Sequence, residues 1–503
     1  MKKLLSAYGK EIFIIFLLLV AYFVLRLPNL TLQPIFADEA IYIRWAQVMK
    51  AEPTLRFVSL SDGKTPLFMW IMMPAFKIFS DPLFAGRILS VFAGMGTLIG
   101  VYLLSRRIFN LKTAFWAGLV YVIVPYTVFF DRMALVDSML AMFTIWSIFF
   151  AVLLVQTLRL DVAMILGYLL GAALLVKTPA MLSLLMLPIS VIGLKKDKSG
   201  RYPLIKICLL LVVSLIIALG IYNLLRLGPG FQQLSSRNAD YIFSVEELRG
   251  RPLDPFIPHF NDIYEWFPLL LTWPVIVTFF IGIFFIFKLR NRLAAMVLIW
   301  ALVPLMIEMA FLKTFTARYL LFSIPPILVI SGYGVSQILD KIKLQKAIKT
   351  IIALLILLSL PLYSDYLLVT NPSLAPLPNA ERSGYLEQWT AGYGFPEIAK
   401  YLIEQKKNGS VVVGTEGFFG TLPDGLQIYL DKAEIPIVGS PATVSAQIRE
   451  AADKHQTFFV GNKTRLTGNV KDVELIMEFP KAIPRDGTPQ DAVVLYKVLK
   501  ETK

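Results

Sequence analysis

The sequence predicts a polytopic α-helical membrane protein with a C-terminal soluble α/β domain, and three observations lead to this fold class. The 503 residues are 56% hydrophobic and only 17% charged, with a mean hydropathy of +0.66. Apolar runs long enough to cross a bilayer recur through the first three quarters of the chain. Beyond residue 368 the sequence becomes polar, and helix-like runs alternate with runs rich in β-branched residues.

The first apolar run follows Met1, Lys2 and Lys3 and has no convincing small-x-small cleavage site. We therefore expect an uncleaved first span with its N-terminus in the cytoplasm. About eleven spans are expected, at residues 12–27, 88–104, 113–130, 137–157, 161–176, 179–194, 204–226, 267–288, 294–311, 318–339 and 349–367. An odd number of spans places the C-terminal part outside the cell membrane.

Residues 66–80 are apolar but short, and they contain Pro74 and Lys77. If this segment spans, every later basic loop, including 195–201 and 341–349, moves to the outside. If it only lies in the membrane interface, all of these loops face the cytoplasm, as the positive-inside rule favours. The net charge of +14 is then explained by topology and by anionic lipid headgroups, and we expect no nucleic-acid partner.

Three regions follow from this pattern: a transmembrane domain at residues 1–368, a proline-containing linker at 369–393 and an extracytoplasmic α/β domain at 394–503. In the last region, helices are expected near 394–405 and 445–455. Strands are expected at 411–413, 427–430, 457–460, 473–476 and 492–495.

An acidic pair, Asp38 and Glu39, lies in the first outside loop, just after the first span. A solvated loop or a helix cap is the ordinary interpretation of such a pair. Two further carboxylates, Asp131 and Asp137, lie in the second outside loop on the same face, although a residue at a span end can also serve as a cap. The sequence thus predicts several carboxylates on one side of the membrane.

Cations are expected on that same face, at Lys64, Arg132, Lys177 and Arg318, with Tyr319 beside the last of them. Each cation alone is more simply explained by snorkelling to the interface. Several cations that converge on a carboxylate pair favour a site for a phosphorylated lipid. Transfer from a phosphate-activated sugar needs a base for the acceptor hydroxyl and positive charge at the departing phosphate, and a single carboxylate with a cationic clamp supplies both.

The order of these features resembles the polyprenyl-phosphate-dependent glycosyltransferases with the C-type membrane fold, which include protein O-mannosyltransferases and lipid A aminoarabinose transferases. The resemblance covers the membrane part, roughly residues 17–367. It is carried by Phe36-Ala37-Asp38-Glu39-Ala40, Gly63-Lys64-Thr65-Pro66-Leu67, Arg87, Asp131-Arg132 with Asp137, Lys177-Thr178-Pro179, Arg318-Tyr319-Leu320-Leu321 and the tail motif at residues 385–394.

The resemblance implies an inverting glycosyltransferase that moves a monosaccharide from a polyprenyl-phosphate donor to a protein, glycolipid or polysaccharide at the outer face. It implies that Asp38 is the base, that Glu39 and Asp137 are acidic residues of the site, and that Lys64 and Arg318 bind phosphate. The sequence departs from the family pattern at Thr65, where proline is usual, and at Thr178, where glycine is usual.

Some relatives hold a divalent metal ion with an acidic residue placed directly before the lysine. Gly63 stands at that position here, and His259 is the remaining candidate ligand, so a metal stays open and no cofactor is firmly expected.

Two other functions fit parts of the pattern. A lipid-linked sugar flippase or transporter places its charges near the bilayer midplane in matching halves, whereas the strong charges here lie at span ends and the halves do not match. A non-enzymatic sensor would not need so many spans or the charged outside turns.

Overall fold

The computed structural model describes residues 2–196, 200–251, 253–467 and 472–500, and their side chains from residue 9 onward. Residues 197–199 of the basic loop at 195–201 lie outside the described part. The first helices are α1 Lys2–Arg26, α2 Ala37–Ala51, α3 Leu67–Met72, α4 Pro82–Ile108, α5 Leu111–Ile123, α6 Pro125–Asp131, α7 Val136–Thr157, α8 Leu160–Val176, α9 Ala180–Leu185 and α10 Leu204–Tyr222.

The chain continues with α11 Gln233–Ser236, α12 Asn238–Tyr241, α13 Val245–Arg249, α14 Phe256–Leu270, α15 Trp273–Lys288, α16 Arg292–Phe311, α17 Ile324–Lys341 and α18 Lys346–Thr370. The last helices are α19 Asn379–Arg382, α20 Phe395–Lys406, α21 Thr421–Leu430 and α22 Ala446–Ala452. The strands are β1 Ile35–Phe36, β2 Ala391–Gly392, β3 Val411–Glu416, β4 Ile437–Ser440, β5 Gln456–Asn462, β6 Val473–Pro480 and β7 Ala492–Val498.

The predicted fold class is confirmed: a bundle of long apolar helices is followed by a sheet with flanking helices. Among the described residues, six helices are long and apolar enough to cross a membrane, or eight if each of two bent pairs counts as one span. The chain is therefore an integral membrane protein, and the number of eleven spans stays a prediction.

The predicted spans differ from the observed helices in three places. The span at 267–288 crosses a break of 111° between α14 and α15. The span at 113–130 is bent by 59° where α5 gives way to α6, because Pro125 cannot donate the hydrogen bond that would continue α5. The span at 179–194 is not a continuous helix, since α9 ends at Leu185 and a 3₁₀ helix follows at Leu187–Gly193 with Pro188 near its start.

The apolar segment at 66–80 also matches its expected short form. It consists of α3 and a 3₁₀ turn at Ala75–Lys77. At 1.5 Å per residue, the eleven residues from Leu67 to Lys77 reach about 16 Å, roughly half of a hydrocarbon core.

The C-terminal part contains a five-stranded sheet in the order β4-β3-β5-β7-β6. Strand β3 runs parallel to β4 and β5, whereas β7 is antiparallel to β5 and β6. Four of the five predicted strand positions fall in this sheet. The prediction for 427–430 was wrong, because these residues belong to α21; a four-residue apolar run does not by itself distinguish a strand from a buried helix segment.

Two contacts tie the C-terminal part to the first loop of the bundle. Strands β1 and β2 pair antiparallel, with Phe36 opposite Ala391, and the Ala37 amide donates to the Thr390 carbonyl at 3.0 Å. Helix α2 packs on α21, where Gln47 Nε2 donates to the Ile428 carbonyl at 2.9 Å and Arg44 pairs with Asp431 at 2.6 Å. Helix α2 is thereby held both at its start, which carries the acidic pair, and near its middle.

Candidate active site

Asp38 lies in the first turn of α2, directly after β1, where a carboxylate also benefits from the helix dipole. Its two oxygens face two different cations. Arg318 Nη1 lies 2.6 Å from Oδ2, and Lys64 Nζ lies 3.4 Å from Oδ1. All three side chains are partly exposed, so the cluster remains open to a ligand. Residues far apart in the sequence thus form one carboxylate with a cation on either side.

The two cations determine the ionisation of Asp38. Burial alone would raise the pKa of this carboxyl, but Arg318 and Lys64 outweigh burial and hold the pKa well below its ordinary value. Asp38 is therefore ionised throughout the neutral range. In this arrangement it is also a weak proton acceptor, because protonation would break two ion pairs.

Glu39 is fully buried and saturated with hydrogen bonds. Its oxygens accept from the Phe36 amide at 2.9 Å, from Arg87 at 2.7 and 2.8 Å, and from the Ala134 amide at 2.6 Å. Arg87 in turn donates to the carbonyls of Leu30, Gln33 and Pro34. These contacts fix the first loop against α4 and leave Glu39 no free oxygen for a substrate.

Asp137 and Lys177 form a second charged pair close to the first. Lys177 Nζ lies 2.6 Å from Asp137 Oδ1 and 4.0 Å from the centre of the Tyr319 ring. The Tyr319 ring also lies 5.1 Å from the Arg318 guanidinium carbon. Tyr319 therefore links the two pairs, and the structure brings Asp38, Lys64, Arg318, Tyr319, Asp137 and Lys177 together.

Arg132 has contacts that do not favour its predicted role in substrate binding. The guanidinium donates to the carbonyls of Arg26 at 2.7 Å, Pro28 at 2.9 Å and Asn29 at 2.9 Å, where the chain leaves α1. The residue is buried. Adjacent Asp131 is also buried, and it accepts from Arg26, Tyr121 and Ser138. Both side chains brace the end of α1 instead of facing the Asp38 cluster.

His259 lies in α14, where its Nδ1 is 2.8 Å from the Met309 carbonyl oxygen and its ring stacks on Phe315 at 4.2 Å. One ring nitrogen is thus occupied by a backbone group. Within the part of the chain that the structure describes, no group of three or more histidine, cysteine, aspartate or glutamate residues is arranged to hold a metal ion. The described residues do not fit a metal site at His259.

Two buried carboxyl groups near the site were not predicted from the sequence. Glu308 is 3% exposed and lies in α16, near Lys177 and Asp137. Glu381 is 3% exposed, lies in α19, and accepts from the Ala317 amide at 2.7 Å, directly before Arg318. A single acidic residue within an apolar span often indicates function, so Glu308 could have been identified from the sequence. The residues around Glu381 in the sequence give no such indication.

Glu381 makes stability depend on pH. Burial raises its pKa from 4.5 to about 7, although the Ala317 amide and Arg318 oppose the shift. The folded protein then holds this proton to higher pH than the unfolded chain does. The contribution of Glu381 to the unfolding free energy is therefore complete below about pH 4.5 and is lost as the pH rises to about 7. Relative to Glu381→Gln, we expect the wild type to lose about 3 kcal/mol across this interval.

The measurement is the unfolding free energy of both proteins in detergent micelles from pH 4.5 to 8. The exposed Glu434 is the matched control, since Glu434→Gln should follow the wild-type curve at every pH. Parallel curves for the wild type and Glu381→Gln would contradict the expectation.

The comparisons with known proteins agree with this architecture. The family described as dolichyl-phosphate-mannose-protein mannosyltransferase matches residues 63–222. No curated protein matches the sequence. Among solved structures, ArnT from Cupriavidus metallidurans is similar at 15% identity over 97% of this chain and 98% of that chain, with a TM-score of 0.55 in the apo state and 0.57 when bound to undecaprenyl phosphate.

A second solved relative comes from an archaeon. The oligosaccharyltransferase AglB from Archaeoglobus fulgidus, in complex with an inhibitory peptide and a dolichol-phosphate, is 12% identical over 97% of this chain and 76% of that chain, with a TM-score of 0.53. At these identities the likeness establishes the fold, which is the C-type fold of membrane glycosyltransferases, and the similarity runs through both the helical bundle and the C-terminal part.

Proposed function

We propose that this chain, which has the C-type membrane glycosyltransferase fold, moves a monosaccharide from a polyprenyl-phosphate donor to an acceptor with inversion at the anomeric carbon. The observation that carries the proposal is the placement of Asp38 between Lys64 and Arg318 at the start of α2. The partial family match and the undecaprenyl phosphate bound to ArnT support the choice of donor.

The cations suit the phosphate of such a donor. Arg318 offers a planar fork that can hold two phosphate oxygens, and Lys64 offers a compact charge on the other side of Asp38. Negative charge grows on the phosphate as the bond to the anomeric carbon breaks. Cations already in place stabilise that charge without further reorganisation, so they lower the barrier for departure of the lipid phosphate.

Donor binding also changes Asp38. A phosphate that takes over Lys64 and Arg318 removes the two interactions that hold the Asp38 pKa low. The carboxylate then becomes a stronger proton acceptor at the moment when the donor is in place. Asp38 accepts the proton of the acceptor hydroxyl, whose oxygen attacks the anomeric carbon from the face opposite the departing phosphate. Because that phosphate leaves readily as an anion, no general acid is required.

The orientation and the domain division form part of the same proposal. The N-terminus lies in the cytoplasm, and the Asp38 cluster and residues 394–503 lie outside, as the basic loops favour. Residues 1–368 carry the chemistry and 369–393 connect the two parts. The acceptor is a glycan, a lipid or a protein that reaches the cluster beside the α2–α21 contact.

Arg318 gives a direct test of the phosphate site. Arg318→Gln is expected to weaken binding of undecaprenyl phosphate by about 10- to 100-fold, because a charged hydrogen bond to the phosphate is lost. Arg318→Lys keeps the charge but not the fork, so an intermediate loss is expected. Binding is measured by titration of the detergent-purified protein.

The matched control is Arg106→Gln. Arg106 is an exposed arginine in the last turn of α4, where it pairs with Glu11. The variant should bind undecaprenyl phosphate as the wild type does. Equal affinities for the wild type and both Arg318 variants would remove Arg318 from the site, and no binding by the wild type would end the proposal.

A further inference from the structure

Glu308 differs from every other carboxylate of the site because it has no partner. Its side chain is buried, and both oxygens lack a hydrogen-bond partner among the described residues. Buried polar groups in native proteins are almost always paired, and an unpaired carboxylate inside an apolar span is costly. A fold retains such a group when something absent from the protein chain completes its hydrogen bonds.

The position of Glu308 connects it to the Asp38 cluster. It lies three residues before Phe311, the last residue of α16, so its depth is close to that of the helix end. The charged groups that act on it are Lys177 and Asp137. Tyr126, which donates to the Ala317 carbonyl beside Arg318, lies within electrostatic range of both Glu308 and Asp137. Glu308 therefore borders the site on the Asp137 side.

That side differs from the phosphate side. Asp38 is influenced by Lys64 and Arg318, whereas Glu308 is influenced by Lys177 and Asp137. The donor phosphate carries two substituents, a sugar and an apolar polyprenyl chain. If the phosphate occupies the first pair of cations, the chain stays in the bilayer, and the sugar is the substituent that suits the polar region around Asp137 and Lys177.

The groups of the site differ in what they can bind. Its cations, which suit a phosphodiester, are Lys64, Lys177 and Arg318. In the free protein they pair with Asp38, Asp62 and Asp137. Glu308 adds a buried carboxyl group whose two oxygens lack partners among the described residues, so it suits a group that donates hydrogen bonds, which is a sugar hydroxyl or a sugar ammonium.

We propose that Glu308 binds hydrogen-bond-donating groups of the donor's sugar ring, and so selects the sugar while Lys64 and Arg318 select the phosphate. The proposal rests on the proposed function. It assigns Glu308 no part in bond making, and it makes the sugar and the lipid phosphate separable in binding experiments.

The test compares the binding of two types of ligand by the wild type and by Glu308→Gln. Undecaprenyl phosphate has no sugar, whereas undecaprenyl-phosphate mannose, glucose and aminoarabinose differ in their hydroxyl and ammonium groups. We expect the variant to bind undecaprenyl phosphate like the wild type and to bind the preferred sugar-bearing lipid about 10- to 100-fold more weakly. A loss confined to aminoarabinose identifies an ammonium as the group bound, and a loss with a neutral sugar identifies hydroxyls.

The melting temperature of Glu308→Gln is a second measurement. It should fall if Glu308 stabilises the fold, and it should not fall if Glu308 serves ligand binding. Replacing a buried carboxyl group that has no hydrogen-bond partner should leave the melting temperature of the unliganded protein unchanged or raise it. Asp161→Asn is the control, since Asp161 is exposed and pairs only with Arg159 among the described residues. The proposal is overturned if Glu308→Gln lowers the melting temperature, weakens both ligand types equally, or weakens neither. Failure of the wild type to bind undecaprenyl phosphate would instead contradict the proposed function.

Discussion

Asp38→Asn is expected to reduce kcat by a factor of about 10²–10⁴, which is the usual contribution of a positioned general base. The substitution keeps the shape of the side chain but removes its ability to accept the proton of the acceptor hydroxyl. It also frees Arg318, which lies 2.6 Å from the carboxylate, and removes one of the two carboxylates that pair with Lys64, at 3.4 Å from Asp38 and 3.7 Å from Asp62. Because the donor phosphate then has less internal competition, binding of undecaprenyl phosphate should be unchanged or tighter.

This combination distinguishes a base from a structural anion. A variant that has lost the fold loses activity and binding together, whereas Asp38→Asn should lose turnover alone. The measurements are kcat in a transfer assay and the affinity for undecaprenyl phosphate in a titration. Activity within a factor of a few of the wild type would show that Asp38 is not the base.

The second large effect is expected on stability. The Glu39–Arg87 pair is nearly inaccessible to solvent, and each partner makes several further bonds to backbone groups. Replacing one partner leaves a buried charge uncompensated, which costs about 3–5 kcal/mol. Both Glu39→Gln and Arg87→Leu should therefore lower the unfolding free energy strongly, and Arg87→Leu should be the more severe because three carbonyls also lose their donor.

The control for this stability measurement is Arg106→Leu, since Arg106 pairs with Glu11 at the surface and such pairs contribute at most about 1 kcal/mol. If Glu39→Gln instead leaves the unfolding free energy intact and abolishes transfer, then Glu39 acts on the substrate, as the family resemblance implies. That outcome would contradict the positioning role inferred from its four hydrogen bonds.

The parts of the fold that follow from hydropathy could be predicted from the sequence. Long apolar runs such as Val136–Thr157 have only one stable form in lipid, so α7 lies where expected. Breaks at prolines were underestimated, as at Pro188. The hydropathy of a short segment does not show whether the packing of neighbouring helices allows the helix to be interrupted. In the C-terminal part, β3, β5, β6 and β7 follow the β-branched runs, whereas the run at 427–430 is helical.

The site was predictable to the extent that charge at span ends is visible in sequence. Asp38, Lys64, Asp137, Lys177 and Arg318 stand out against apolar surroundings, and the structure brings them together. The groups with which each charged side chain pairs could not be predicted, because pairing depends on how segments distant in the sequence pack together. Arg132 lies at the expected kind of position, but the backbone carbonyls at the end of α1 take its donors.

The most direct test of the account measures sugar transfer from a radiolabelled polyprenyl-phosphate monosaccharide in proteoliposomes, with wild type and Asp38→Asn at matched folding. We expect the wild type to consume the donor and label an acceptor, while the variant binds the donor without consuming it. Label that crosses the bilayer with no donor consumed by either protein would contradict the enzyme and favour a lipid-linked sugar flippase.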